Sequence, residues 1–280
     1  MIKYINANQD ELVFEKDIKL VEINGTGAEN VEIQTQKAPF QDGATLIDTL
    51  LNEREISLEV VLLGENRQDI YEKRRMVSNI FNSKLGVGKL VWEQEDITVA
   101  SKAVSRGVEF LGGESLGGYQ RCVINLYAPD PFWQDEEEKN VQMASMISMF
   151  EFPLRLSTQM GTAGDKRIIE NEGDAPAPVE IVFNGPAVKP RVENETTGQF
   201  IEVDRELEGG DRLKINTAFG NKSVVIEREN GDIESAFSYI NLNSEFWQLE
   251  VGENVLTYSA EQGADDATVN VYWKNRYIGV

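Results

Sequence analysis

The chain has 280 residues, of which 48 are acidic and 27 basic, for a net charge of −21; it contains one cysteine and no histidine. This balance argues against binding a nucleic-acid backbone, which needs clustered Lys and Arg. The missing histidine removes Ser-His-Asp and Cys-His catalysis and zinc sites built on imidazole. The single Cys122 rules out internal disulfides and thiolate metal clusters. The length suits two domains, each large enough to bury its own core. No apolar run reaches membrane-spanning length and Met1-Ile2-Lys3-Tyr4 opens no signal-peptide pattern, so the expectation is assembly in a cytosol without membrane insertion.

The first half reads as strands. Ile2-Lys3-Tyr4-Ile5 ends at a polar turn over 6–9, Leu12-Val13-Phe14 resumes, and Ile18, Leu20 and Ile23 close at Asn24-Gly25-Thr26-Gly27. Val31-Glu32-Ile33-Gln34-Thr35 alternates as a half-buried strand does. Pro39 to Gly43 marks a turn with Gly43 at positive φ, and strands on either side of it form a projecting hairpin. In the next extended run Ile56, Leu58, Val60 and Leu62 share one face.

One helix is expected. Asn66 or Asp69 caps it, Ile70, Val77, Ile80 and Phe81 form its apolar stripe, and Gly86 and Gly88 stop it. Leu90-Val91-Trp92, 97–104 and 108–111 return to strands, with Gly112-Gly113 and Gly117-Gly118 bracketing a turn. Cys122 alternates with Ile124 and Leu126, which predicts a buried, inert thiol.

After this strand the chain meets Tyr127-Ala128-Pro129-Asp130-Pro131-Phe132-Trp133. Two prolines one residue apart stiffen the backbone and cannot donate to a ladder, so the sheet must stop there. Phe132 and Trp133 supply apolar anchors, and the acidic run 135–138 reads as solvated charge. The predicted border therefore separates a domain over 1–134 from a second over 135–280.

The second half is short strands and turns. It opens at Phe150 to Leu156, passes a Gly-rich loop over 161–164, and continues with segments such as 168–170, 179–183, 192–194, 200–203, 213–215 and 224–226. Phe246 to Leu249, 255–258 and 269–273 follow. Asn184-Gly185-Pro186, Gly209-Gly210-Asp211, Asn230-Gly231-Asp232 and Gly252-Glu253-Asn254 punctuate them, the rhythm of an antiparallel sandwich. No internal repeat links the halves.

No catalytic, cofactor-binding or metal-binding residue is assigned, and no cofactor is expected. Gly86-Val87-Gly88-Lys89 lacks the spacing and the Ser/Thr of a phosphate loop, and Gly25-Thr26-Gly27 lacks the rest of a dinucleotide fingerprint. With 48 acidic residues some carboxylate pair always looks suitable for hydrolysis, so that signal carries no information. Neither Asp265-Asp266 nor the 135–138 run matches a calcium loop. Trp247, Tyr258, Tyr272 and Trp273 leave two readings open: core and rim residues of strands, or a platform that stacks sugars in a carbohydrate-binding sandwich protein that recognises a host cell-surface polymer.

Taken together, these segments resemble the distal tail (Dit) proteins of long, non-contractile-tailed bacteriophages. The 127–133 segment is similar to that family's domain junction. The stretch from Arg54-Glu55-Ile56 through Arg74-Arg75 and Ile80-Phe81-Asn82 to Gly88-Lys89-Leu90-Val91-Trp92 looks like its strand–helix–strand block. Phe152-Pro153-Leu154 and Asn171-Glu172-Gly173-Asp174-Ala175-Pro176-Ala177-Pro178 are similar to its second-domain opening. So are Leu249-Glu250-Val251-Gly252-Glu253-Asn254 and the closing Tyr277-Ile278-Gly279-Val280.

The resemblance implies a mainly β structural protein without enzymatic activity: an N-terminal β-sandwich-like domain with one helix and a projecting hairpin, and a C-terminal galectin-like sandwich. It implies a homo-hexameric ring at the virion's tail tip, assembled in the bacterial host and encoded by a phage or prophage. Hairpins clasp neighbours, DNA passes through the centre, and the outer sandwiches are docking sites. The implied partners are the major tail protein, the hub or tail-fibre protein and the tape measure protein, with no sequence-specific nucleic-acid binding. An acidic lumen would suit DNA passage.

Overall fold

Alternating apolar residues build almost everything in this chain, and they do so as two separate compact units. The computed structural model describes residues 1–27, 30–95, 97–112, 118–144 and 166–280. The first unit comprises Met1–Glu136 together with Tyr277–Val280, and the second Glu137–Arg276. The division falls two residues after the expected border at 134/135, and the last four residues group with the first unit. The expected strand at Phe150–Leu156, the Gly161–Gly164 loop and most of the turn over 112–118 lie outside the described residues.

The first unit is mainly sheet. Its strands are β1 (Ile2–Ile5), β2 (Glu11–Val13), β3 (Ile18–Asn24), β4 (Val31–Gln36), β5 (Thr45–Leu51) and β6 (Arg54–Leu63). After helix α1 (Arg67–Ile80) come β7 (Val87–Glu93), β8 (Thr98–Phe110), β9 (Tyr119–Ala128) and β10 (Trp133–Asp135). The main sheet runs in the order β2-β1-β7-β8-β9-β6-β3, with β10 pairing β8, while among the described residues β4 and β5 pair only with each other. One face of β6 (Ile56, Leu58, Val60, Leu62) meets the same face of β9 (Cys122, Ile124, Leu126) in a single core. The sequence reads 97–104 and 108–111 as separate strands. They are one strand, β8, with a register shift between Ser105 and Gly107 that absorbs the mismatch.

The helix caps this core. The Asn66 side-chain Oδ1 accepts the backbone N–H groups of Gln68 and Asp69, both at 3.0 Å, and this satisfies donors the first turn leaves orphaned. Asp69 instead accepts the Lys73 ammonium at 2.9 Å. Ile70 and Val77 are buried, and Phe81, the C-cap, stacks on Tyr4 at 4.4 Å. The helix stops at Phe81, ahead of the glycines, and a short 3-10 turn over Ser83–Leu85 leads to Gly86. Gly88 is no stop signal, because it lies inside β7.

The second unit is a two-sheet sandwich. Its strands begin with β11 (Lys139–Ala144), β12 (Lys166–Asn171), β13 (Ala177–Asn184), β14 (Ala187–Val188), β15 (Arg191–Asn194), β16 (Gln199–Glu202) and β17 (Glu206–Leu207). They continue with β18 (Arg212–Asn216), β19 (Ser223–Glu227), β20 (Ile233–Ser235), β21 (Gln248–Leu249), β22 (Gly252–Ser259) and β23 (Thr268–Trp273). The closing β24 (Arg276–Tyr277) leads back to the first unit. One sheet is ordered β11-β23-β13-β18-β19-β20 and the other β12-β22-β15-β16. Inward residues such as Val179, Ile181, Phe183, Val269 and Val271 of the first sheet share a core with Ile169, Val192, Ile201, Leu256 and Tyr258 of the second.

Candidate functional site

The β4–β5 hairpin carries the clearest functional signal. Register pairs Val31 with Leu51 and Ile33 with Thr49, so these side chains share one face, and Glu32, Gln34, Asp48 and Leu50 take the other. The alternation predicts a half-buried strand. Here the structure overturns the expectation, since both faces are open to solvent: Ile33 is 63% exposed on one and Leu50 43% on the other. At the tip Phe40 is fully exposed at positive φ, and Gly43 has φ +78° as the turn requires. An amphipathic two-stranded ribbon is marginal alone, and its apolar face marks an interaction surface.

The hairpin leaves the sheet between Asn24 and Arg54, and Arg54 organises that root. The side chain is 5% exposed. Its guanidinium donates to the carbonyls of Gly25 (2.9 Å), Gly27 (2.5 Å) and Ile278 (2.7 Å), and twice to Pro131 (2.5 and 2.8 Å). One planar fork thus ties the chain entering the hairpin, the proline segment and the C-terminal tail to the first residue of β6. Trp133 is fully buried beside it, 5.8 Å from the guanidinium carbon, and its indole N–H donates to the Thr26 carbonyl at 3.1 Å. Gly25 is required here: its φ is +83°, and a Cβ would stand 1.9 Å from the Glu55 carbonyl oxygen. An open cleft of about 320 Å³ adjoins the root, lined by Asn30, Asn52, Glu53 and Pro131 among others.

The proline segment does end β9, which stops at Ala128. The acidic run after it is not uniformly solvated, however. Asp135 sits in β10 and accepts the Tyr277 hydroxyl at 2.9 Å, and Glu136 pairs with Lys89 at 2.5 Å. Cys122 is buried as predicted, and burial pushes its thiol pKa up to about 11. Trp247, Tyr258 and Trp273 are core residues; Tyr272 alone of that group is half-exposed, on the outer sheet face. Sequence reasoning missed Arg54 as a tie, because its partners are backbone carbonyls up to 224 positions away.

In the second unit Asp211, Arg228, Glu234 and Arg205 form a chain of ion pairs. Burial pushes the Asp211 carboxyl up, but the Glu208 N–H (2.9 Å), the Arg228 guanidinium (2.7 Å) and the Glu229 N–H (3.1 Å) more than reverse this, leaving it below the ordinary carboxylate range. Its acceptor capacity is spent on the fold, so it serves as a structural tie. Among the described residues no group of three or more acidic or cysteine side chains is spaced to hold a metal ion.

Residues 8–125 match the phage tail protein RIFT-related domain, and residues 172–277 match the C-terminal domain of the siphovirus-type tail component. A chain carrying both is a phage tail component. It belongs to the siphophage distal tail (Dit) family, as the junction and closing motifs imply. In fold it is similar to the SPP1 Dit protein, described as a paradigm of the hub adsorption apparatus in phages infecting Gram-positive hosts. That match has 16% identity and a TM-score of 0.69, covering 98% of this chain and 99% of the other. Chains of the phage P2 baseplate in its activated conformation, with calcium and with strontium, match at 13% identity and a TM-score of 0.54 over the full length of both chains. No curated protein sequence matches the chain.

Proposed function

We propose that this protein is the hub of a siphophage tail tip, closing as a homo-hexameric ring at the distal end of the tail tube. The observation that carries the reading is the β4–β5 hairpin, whose sequence pattern calls for a covered apolar face that the described residues of the chain leave bare. A neighbouring copy supplies the cover, and repeating that contact around an axis closes a ring of fixed copy number. The first unit is the ring-forming part and the second is a docking sandwich for other tip proteins. The partners are the major tail protein above, the hub or tail-fibre protein below and the tape measure protein within.

The role is structural rather than enzymatic. A net charge of −21 favours passage of DNA without adhesion, since a polyanion is repelled from acidic walls. Native mass spectrometry of the purified chain, alone and with the tail-fibre partner, tests the assembly. A closed oligomer that reverts to monomer when Ile33 and Ile47 become Asp supports the reading. A wild-type monomer under both conditions contradicts it.

A further inference from the structure

The outer face of the β11-β23-β13-β18-β19-β20 sheet has a composition that its core does not explain. Register aligns Gln142, Asn270, Val182 and Lys214 in one cross-strand row, and Asn140, Tyr272, Glu180 and Asn216 in the next. A shallow cleft of about 370 Å³ opens here, lined by Asn184, Arg212, Asn270 and Tyr272 among others. A second cleft of about 250 Å³ shares Glu180 and Lys214 with it and reaches Ile233 on β20, so the two form one groove running across the strands. The amides of Asn140, Gln142 and Asn270, the Tyr272 hydroxyl and the Arg212 guanidinium make no hydrogen bond to any described residue. Lys214 and Glu227 pair with each other at 2.8 Å.

This chemistry selects among ligands. Each side-chain amide offers a donor and an acceptor in one plane, which fits neighbouring hydroxyls, and Tyr272 adds an apolar ring with a polar tip. The charges nearly balance, with Arg212 and Lys214 against Glu138, Glu180 and Glu227, so the groove attracts neither a polyanion nor a polycation strongly. A protein interface is built around an apolar, charge-depleted centre. The main cleft has only Val182 and the Tyr272 ring to offer as apolar surface. We propose that this groove binds a neutral saccharide chain, with Tyr272 packing against a sugar ring and Asn270 and Arg212 hydrogen-bonding its hydroxyls, while the Asn184 amide N–H2, which donates to Thr268, holds that end of the groove in place. The site is independent of ring assembly, so either reading can fail without the other.

Calorimetric titration of the full chain with malto-, cello-, galacto- and N-acetylchito-hexaose tests it, with dextran sulfate as the anionic control. At least one neutral hexasaccharide is expected to bind with a Kd of about 1 mM or tighter. Tyr272→Ala and Asn270→Ala should each weaken that binding about tenfold, the equivalent of one or two lost contacts, without moving the thermal midpoint. Should Tyr272→Ala fold poorly, Asn270→Ala together with Arg212→Ala gives the same readout. The proposal is overturned if no neutral hexasaccharide binds at about 10 mM. Binding unchanged in the Asn270 and Arg212 variants, or dextran sulfate binding equally well, overturns it too.

Discussion

Replacing Arg54 by alanine is the sharpest perturbation available at the hairpin root. Four carbonyls lose their donor: Gly25, Gly27, Pro131 and Ile278. Only the Gly25 contact is fully buried, and the other three are part-buried beside an open cleft, so water replaces much of what they lose. Taking about 1–3 kcal/mol for the buried carbonyl and about 0.5 kcal/mol for each rehydrated one, the first unit loses about 2.5–4.5 kcal/mol. That is a large share of an ordinary domain's stability but leaves it folded, with a Tm lowered by about 10 °C. Arg54→Lys keeps the charge without the fork and should recover less than half of the loss. Scanning calorimetry gives the size, and hydrogen exchange gives the location: residues 24–27, the hairpin and 277–280 should lose protection while β13 and β18 keep theirs. A midpoint shift under about 3 °C, or protection lost equally in the second unit, would refute the assignment of Arg54 as the tie.

Ile33→Asp with Ile47→Asp removes apolar surface that is solvent-exposed in the single chain, so the monomer's Tm should stay within about 2 °C while oligomers are lost, as sedimentation velocity will show. The Cys122 thiol should resist labelling at pH 8 until the protein unfolds. Because the folded thiol holds its proton to about 11 and the unfolded one releases it near 9.0, stability is fully present below 9.0 and declines as pH rises through that window. Denaturation of Cys122→Ser across the same range should show a shallower decline. Asp211 runs the other way: its lowered pKa makes a contribution present above the ordinary carboxylate value and lost as pH falls through the folded one. Acid titration of Asp211→Asn should therefore flatten the low-pH limb of the second unit's unfolding.

The parts of this fold that were legible in the sequence are those where alternation meets a core in the same chain. β6, β9, β13 and β23 show this, their inward residues being almost fully buried. The hairpin shows the limit of that signal. Period-two alternation at Val31–Thr35 reports that two faces differ, but not whether the covering surface belongs to the same chain. Charge runs mislead for a related reason: Asp135 and Glu136 look solvated until Tyr277 and Lys89 are brought to them from far away in sequence. Glycine is ambiguous as well, since Gly88 sits in a strand where the spacing suggested a helix stop. The Arg54 tie was the least readable, because carbonyl oxygens are common to every residue and carry no sequence signature.

Closure of several copies around a channel is visible directly by electron microscopy of the purified protein. Closed particles of six equal lobes around a central opening are expected, and the Ile33→Asp/Ile47→Asp variant should lose them. Single compact particles for the wild type, or open chains with no fixed copy number, would contradict closure.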